Sequence, residues 1–244
     1  MNVIHHERAR RASWRPQPAA ALLLALLLMP AAYAAPTRIH AEYAMLNNRQ
    51  HVGNVTENFE RHGHAYQVNS VTRAVGIFAY FAKGAIRLQS RGNITRGGLQ
   101  PLHFAHRRSD DAAKALFADF DWKKHQITLK YDGKTETAAL PAGTQDRLSM
   151  MYQFMFLPQY HRTLRFYMTN GRALTQYRYR YVGEEKISTP IGTLVTVRFN
   201  KHDADDGENT DVWLAKAWHY FPVRVRIQGN HRDEEQLITH LRFH

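Results

Sequence analysis

Fifteen histidines and no cysteine set the limits on the chemistry open to this chain. The missing thiols exclude disulfide frameworks, cysteine nucleophiles, Cys-ligated zinc and iron–sulfur clusters, leaving imidazoles and carboxylates as ligand and acid–base groups. On a strand, His62 and His64 share one face, a spacing that can hold zinc or copper. No third ligand follows in sequence, and a His-rich exposed surface accounts for the pair. His103 and His106 sit in a segment that reads as strand, where the two rings point to opposite faces. The carboxylate pairs suited to acid–base work are Asp119 with Asp121 and Glu184 with Glu185; the first reads as the outer face of a strand, the second as the start of one. Residues 203–211 resemble a calcium loop in composition only, because the glycine falls where a ligand is needed and the distal bidentate glutamate is missing. A solvated hairpin turn accounts for them. No Gly-x-Ser-x-Gly elbow, phosphate-cradling glycine loop or His-Glu-x-x-His helix occurs. The sequence therefore assigns no catalytic residue, no metal site and no cofactor, and reads as a non-enzymatic protein.

The basic side chains say more. Lysine and arginine number 33 against 21 aspartates and glutamates, a net charge of +12 with neutral histidines. Arg165, Arg178, Arg180, Arg198, Arg224, Arg226 and Arg242 all alternate with apolar residues, which places them on the outward faces of strands. The planar guanidinium fork suits phosphate and carboxylate. If the strands are neighbours, Arg178, Arg180, Arg224 and Arg226 form a candidate contact for an anionic partner. The competing reading is that outward charges simply guard the sheet against edge pairing.

The first 34 residues carry the parts of an export signal: Arg8, Arg10, Arg11 and Arg15, then the apolar run from Ala19 to Met29, then Ala32-Tyr33-Ala34. Cleavage is expected before Ala35, leaving residues 35–244 as a single β-rich domain. The apolar run is shorter than the about 20 residues a bilayer span needs, and no later apolar segment is long enough to span. The expected location is the periplasm, where nucleic acid is not a routine partner. Glu7 and the four leader arginines account for three of the charges, so +9 stays with the folded part.

The elements that must position these groups are mostly strands. Tyr177, Tyr179 and Tyr181 alternate with Arg178 and Arg180; Val195, Val197 and Phe199 with Thr196 and Arg198; Val223, Val225 and Ile227 with Arg224 and Arg226. Turn sequences such as Asp132-Gly133, Asn170-Gly171 and Pro190-Ile191-Gly192 separate the runs. About ten to twelve antiparallel strands are expected between Thr37 and Phe243. Residues 145–157 break the pattern. Leu148, Met151, Tyr152 and Met155 fall at helical spacing, with Thr144 as N-cap and Pro158 as stop, and Met150, Phe154, Phe156 and Leu157 fill the rest of the circumference. A helix apolar nearly all round is a buried helix. The expected fold is mainly β: a large curved antiparallel sheet or half-open barrel wrapped around one buried helix. Residues 76–84, with Ile77, Phe78, Tyr80 and Phe81, admit either a strand or a short helix.

Five motifs in order resemble a bacterial exported family, the domain-of-unknown-function family 3108. They are Gly98-Leu99-Gln100-Pro101, Asp121-Trp122, Asp146-Arg147-Leu148-Ser149, Thr189-Pro190-Ile191-Gly192-Thr193, and Trp213-Leu214-Ala215 followed by Tyr220-Phe221-Pro222-Val223-Arg224. The resemblance implies a periplasmic β-rich protein whose general plan is similar to the half-barrels that carry lipoproteins across the periplasm. It brings no catalytic residues. The function expected is non-catalytic binding of an apolar or amphipathic envelope molecule, a lipid or lipopolysaccharide-type ligand. Met150, Met151, Tyr152, Met155 and Phe156 are its candidate cavity lining, because methionines repack around different acyl chains. The alternative is an envelope interaction or structural protein with a solid core that docks an anionic partner, such as an envelope protein, through its arginine-rich outer surface.

Overall fold

Period-two alternation becomes fifteen strands in a single sheet among the described residues of the computed structural model, which are 36–82, 84–157, 163–202, 207–229 and 232–244. The leader and its cleavage point lie outside the described residues, as do Pro158 and residues 203–206. One meander runs β1 (Arg38–Asn47), β2 (Gln50–His62), β3 (Ala65–Ala74), β4 (Ala85–Thr95), β5 (Gly98–Arg108), β6 (Leu116–Asp121), β7 (Gln126–Tyr131) and β8 (Lys134–Ala139). After β9 (Gln145–Asp146) a second runs β10 (Thr163–Thr169), β11 (Leu174–Thr189), β12 (Gly192–His202), β13 (Asn209–Ala215), β14 (Phe221–Gly229) and β15 (Arg232–Phe243). The two meanders join where β1 pairs with β15, with Tyr43 opposite Ile238. Every pairing is antiparallel except the short parallel one between β9 and β10.

The strand count exceeds the ten to twelve expected, because long bulged strands and the polar β8 carry weak alternation. The sheet is mainly β and is not closed into a barrel: β8 and β9 stand at opposite ends of its order. Its two ends are nevertheless brought together by side chains. Arg172, between β10 and β11, makes a bidentate pair with Asp132, between β7 and β8, and lies over the Tyr131 ring. Gly171, at φ 92°, fits against Leu116 and Phe104, where a Cβ would come within 2.8 Å of the Leu116 Cβ.

The expected helix is shorter than residues 145–157. Only α2 (Ser149–Gln153) is α-helical, following α1 (Ile77–Phe81), and a 3-10 turn at Phe154–Phe156 continues it. Gln145 and Asp146 are extended and pair with Met168 and Thr169. Thr144 is not the N-cap; its hydroxyl donates to the Pro141 carbonyl. The N-cap position is Leu148, and the carboxyl of Asp146, two residues before it, satisfies the helix start. Its Oδ1 accepts from the Leu148 and Ser149 amides at 2.9 and 2.8 Å, while the Asp146 amide donates to Ser149 Oγ at 2.9 Å. This is the reciprocal geometry of a capping box, with serine where glutamate is usual.

The helix is held from both meanders. Tyr152 stacks on Phe59 of β2, with centroids 5.4 Å apart, and meets Phe221 of β14 edge-on. Phe154 is ringed by Phe166, Tyr179 and Phe199. Each such aromatic contributes about 1.5–3 kcal/mol by burial. Contact with both β2 and β14 requires the sheet to curl around α2. Polar contacts then fix the helix position. Gln153 Oε1 accepts from the Leu99 amide at 2.7 Å and its Nε2 donates to the Gly97 carbonyl at 2.8 Å. Gly98, at φ 96°, leaves the space this amide fills. Gln145 Nε2 donates to the Leu99 carbonyl, and Trp122 Nε1 to that of Pro101.

Two buried carboxyls complete the attachment. Ser90 Oγ donates to Asp146, and the Tyr66 hydroxyl therefore donates to Ser90. Tyr152 donates to Glu57 Oε2 at 3.0 Å. Burial pushes the Glu57 carboxyl up, against the hydrogen bonds of Tyr152 and Ser70. Burial likewise pushes Asp146 up to about 6, against its serine and amide donors.

Tyr152→Phe should destabilise the protein by about 1–3 kcal/mol in urea unfolding, because it removes the helix donor to a buried carboxyl while keeping the ring. A second expectation concerns pH. Both carboxyls bind protons more tightly in the folded state, so their contribution to stability falls as pH rises above the ordinary carboxylate range, for Asp146 up to about pH 6, and returns on acidification. Unfolding midpoints of wild type minus Asp146→Asn should therefore increase as pH is lowered through that window; a difference that is flat with pH would contradict the assignment.

Candidate functional site

Inward-facing side chains are sealed around α2 and open toward one end of the sheet. The trend repeats on strand after strand. Tyr43 is buried and Met45 half-buried; Ile238 is buried, Gln236 and Glu234 half-buried; Val223 is buried, Val225 and Ile227 half-buried. In β3 buried Ser70 gives way to Thr72, in β4 buried Ser90 to Leu88 and Ile86, and in β5 buried Phe104 to His106. Strand register puts these half-buried residues side by side: Met45 opposite Gln236, Gln236 opposite Val225, Leu88 opposite His106. An inward row that packs against the core yet remains within reach of solvent outlines a candidate cup with the helix at its floor.

Arg147, between Asp146 and α2, stands over this opening. Its backbone amide is held by the Thr169 carbonyl, and its side chain is exposed. Enough protein surrounds it that desolvation, followed by repulsion from Arg232, lowers its guanidinium pKa, with Glu234 and Tyr177 acting the other way. His106, on the opposite wall, is lowered by burial, then by Arg147 and Arg108, and its Nε2 is buried with no hydrogen-bond partner. Lys201 is buried with Nζ 4.4 Å from the Tyr177 ring centroid. Glu234 is paired with Arg232, which also holds Glu208. Among the described residues no carboxylate makes an ion pair with Arg147. The cup thus combines a thioether and aliphatic wall with a cationic mouth, an arrangement that can hold an apolar body and an anionic head.

The expected lining residues divide. Met150 and Tyr152 are fully buried in packed clusters, whereas Met151, Met155 and Phe156 keep accessible surface. Phe156 packs beside Phe59, Met155 packs against the same core cluster, and Met151 touches both core clusters. Sequence reasoning missed Met45, Leu88, His106, Arg147, Val225 and Gln236. A signal was present for His106, which is in phase with the apolar Phe104; none was present for Arg147, because the burial of its polar neighbours arises only in the fold.

The outward arginines also divide. Arg224 pairs with Glu235, Arg226 with Asp233, and Arg198 with Glu185, while Arg198 and Arg224 both lie over the Trp213 ring. Those charges are neutralised within the sheet. Arg165 and Arg178 stand directly opposite each other, with Arg180 two residues on, and all three are exposed with no ion pair among the described residues. Arg242 is exposed on the outer face of β15.

The other sequence candidates are surface features. His62 and His64 do not share a strand face but flank the β2–β3 turn at Gly63, and His62 lies near Glu60. His103 and His106 do point to opposite faces, and His103 bonds Asp119 at 2.7 Å. Asp119 also pairs with Lys130, Asp121 with Lys124, and Glu184 with Lys216. Among the described residues no cluster of three or more histidines, aspartates or glutamates could hold a metal, and no helix is long and apolar enough to cross a membrane.

The chain is similar in fold to a β-barrel-like protein of domain of unknown function DUF1849 from Brucella abortus, with a TM-score of 0.54 and 10% identity over 86% of this chain and 99% of that one. A protein of Parabacteroides distasonis ATCC 8503, described provisionally as a lipoprotein, aligns over 85% of this chain and 95% of its own at 9% identity with a TM-score of 0.33. No curated protein matches the sequence. The five sequence motifs lie within residues 39–229, which match the family described as protein of unknown function (DUF3108), and the chain belongs to that family.

Proposed function

We propose that this is a non-catalytic, exported binding protein that holds an amphipathic, anionic envelope molecule in its cup. The observation that carries the reading is the pairing of an accessible inward wall, Met45, Leu88, Met151 and Val225, with the unpaired cation Arg147 at its mouth. Apolar surface leaves water against the wall, and the guanidinium fork meets a phosphate or carboxylate head. Methionine on the helix side adapts to chains of different shape. Residence in the periplasm, as the leader suggests, would supply phospholipid or lipopolysaccharide-type molecules.

Protein purified gently from its own host should carry lipid-sized adducts in native mass spectrometry. Met151→Trp should remove most of the adduct by filling the cup, and Arg147→Ala should weaken retention of anionic lipid about ten-fold or more while sparing neutral lipid. A clean apo mass, with both variants indistinguishable from wild type in binding envelope extract, would overturn the reading.

The second reading, docking of an anionic partner, is favoured by the adjacent free guanidinia of Arg165, Arg178 and Arg180. It predicts that Arg165, Arg178 and Arg180 changed to Ser abolish salt-sensitive retention of envelope protein, whereas Arg224→Ser and Arg226→Ser, which break internal ion pairs, change retention little. Equal loss from both sets would sink the docking surface as drawn.

A further inference from the structure

The β3–β4 connection presents the most exposed apolar residues of the described chain. Ile77, Tyr80 and Phe81 are 70%, 75% and 78% exposed. They fall at i, i+3 and i+4 of α1, so one face of this short helix is apolar and turned to solvent. The helix is formed and tethered: the Val75 amide bonds the Val52 carbonyl, Ala79 bonds Gly76, and Ala82 closes onto Phe78. None of its residues is buried, and the Tyr80 and Phe81 rings touch only edge-on at 5.6 Å. Phe78 alone is partly buried, so the three exposed side chains contribute no burial to the fold.

The charges beside it have one sign. Arg73 ends β3 near the helix, and Arg87 and Arg107 stand opposite each other on the outward face of β4 and β5. All three are exposed and make no ion pair among the described residues; Arg107 lies over the Phe117 ring. The nearby carboxylates are already neutralised, Asp110 by Arg108 and Asp111 by Lys114. Three side chains on a five-residue helix fall well short of the roughly 800 Å² per partner of a specific protein interface. A bilayer surface needs no such area: apolar and aromatic tips enter the headgroup boundary, a tyrosine hydroxyl stays at its polar level, and arginines behind it meet lipid phosphates.

We infer that α1 is a membrane-docking tip, seating Ile77, Tyr80 and Phe81 in the interface of an anionic phospholipid bilayer with Arg73, Arg87 and Arg107 against its headgroups. It lies at the end of the sheet where the cup opens, so docking would face the mouth toward the lipid.

The test is co-sedimentation of the full chain with vesicles containing phosphatidylglycerol, beside vesicles of phosphatidylcholine alone. Wild type should sediment with the anionic vesicles and lose that binding in high salt. Tyr80→Ser with Phe81→Ser should weaken it about ten-fold or more, and Arg87→Ser with Arg107→Ser should weaken it several-fold and abolish the salt dependence. Unfolding midpoints should not move, since all four side chains are exposed. Undiminished sedimentation of the Tyr80 and Phe81 variant overturns the proposal, as does failure of wild type to bind. So does a dimer seen by sedimentation velocity without vesicles that this variant abolishes, which would make the tip a contact between copies. Failure of the wild type to bind vesicles while lipid adducts are retained in the cup would reject this tip and leave the cup reading standing.

Discussion

The carboxyl group of Asp146 is the constraint around which the rest of the structure is arranged. It is fully buried and accepts from Ser90 Oγ and from the Leu148 and Ser149 amides. An unsatisfied buried carboxylate would cost several kcal/mol. The only way to supply its donors is to bring the start of α2 against the middle of β4, and that contact sets where the helix lies. Tyr66 adds a further link through Ser90, and Gln145 and Gln153 bind both sides of the Gly97–Leu99 backbone. Apolar packing alone would tolerate sliding of the helix; these hydrogen bonds allow one register.

Placing the helix decides the cup. With α2 anchored to β4 and β5 and its aromatic rings filling the space toward β2, β12 and β14, one part of the curled sheet becomes solid core. The remaining inward positions pack against this core on one side only and keep part of their surface open to solvent. Their half-exposed state is therefore a consequence of the anchoring, not of weak alternation in those strands. Arg147 is carried to the mouth by the same geometry, since it lies next to Asp146 and its amide is pinned to Thr169.

Much of this was legible in the residues. Alternation identified the strands, their antiparallel pairing and the outward arginines, and the apolar run around Tyr152 identified a buried helix. The helix limits were misread because Gln145 and Asp146 have helical neighbours in sequence but a strand partner in space. Thr144 is an acceptable N-cap by type, but the Asp146 carboxyl holds the first helical amides while its second oxygen is satisfied by a serine 56 residues away. The histidine pair at 62 and 64 failed for a local reason: Gly63 at positive φ turns the chain between them.

Two features belong to the sequence alone and two only to the fold. Residue types at alternating positions determined a β-rich protein with a basic outer face, because the pleat sends successive side chains to opposite sides whatever the topology. They also determined that residues 76–84 would be an apolar cluster, though not that it would be a helix. Which arginines remain free was decided by register: β14 and β15 align Arg224 and Arg226 with Glu235 and Asp233, whereas β10 and β11 align Arg165 with Arg178. Which apolar residues remain accessible was decided by where the helix docks. Neither is visible in one dimension, since charge neutralisation and burial depend on partners that are distant in the chain and adjacent only after folding.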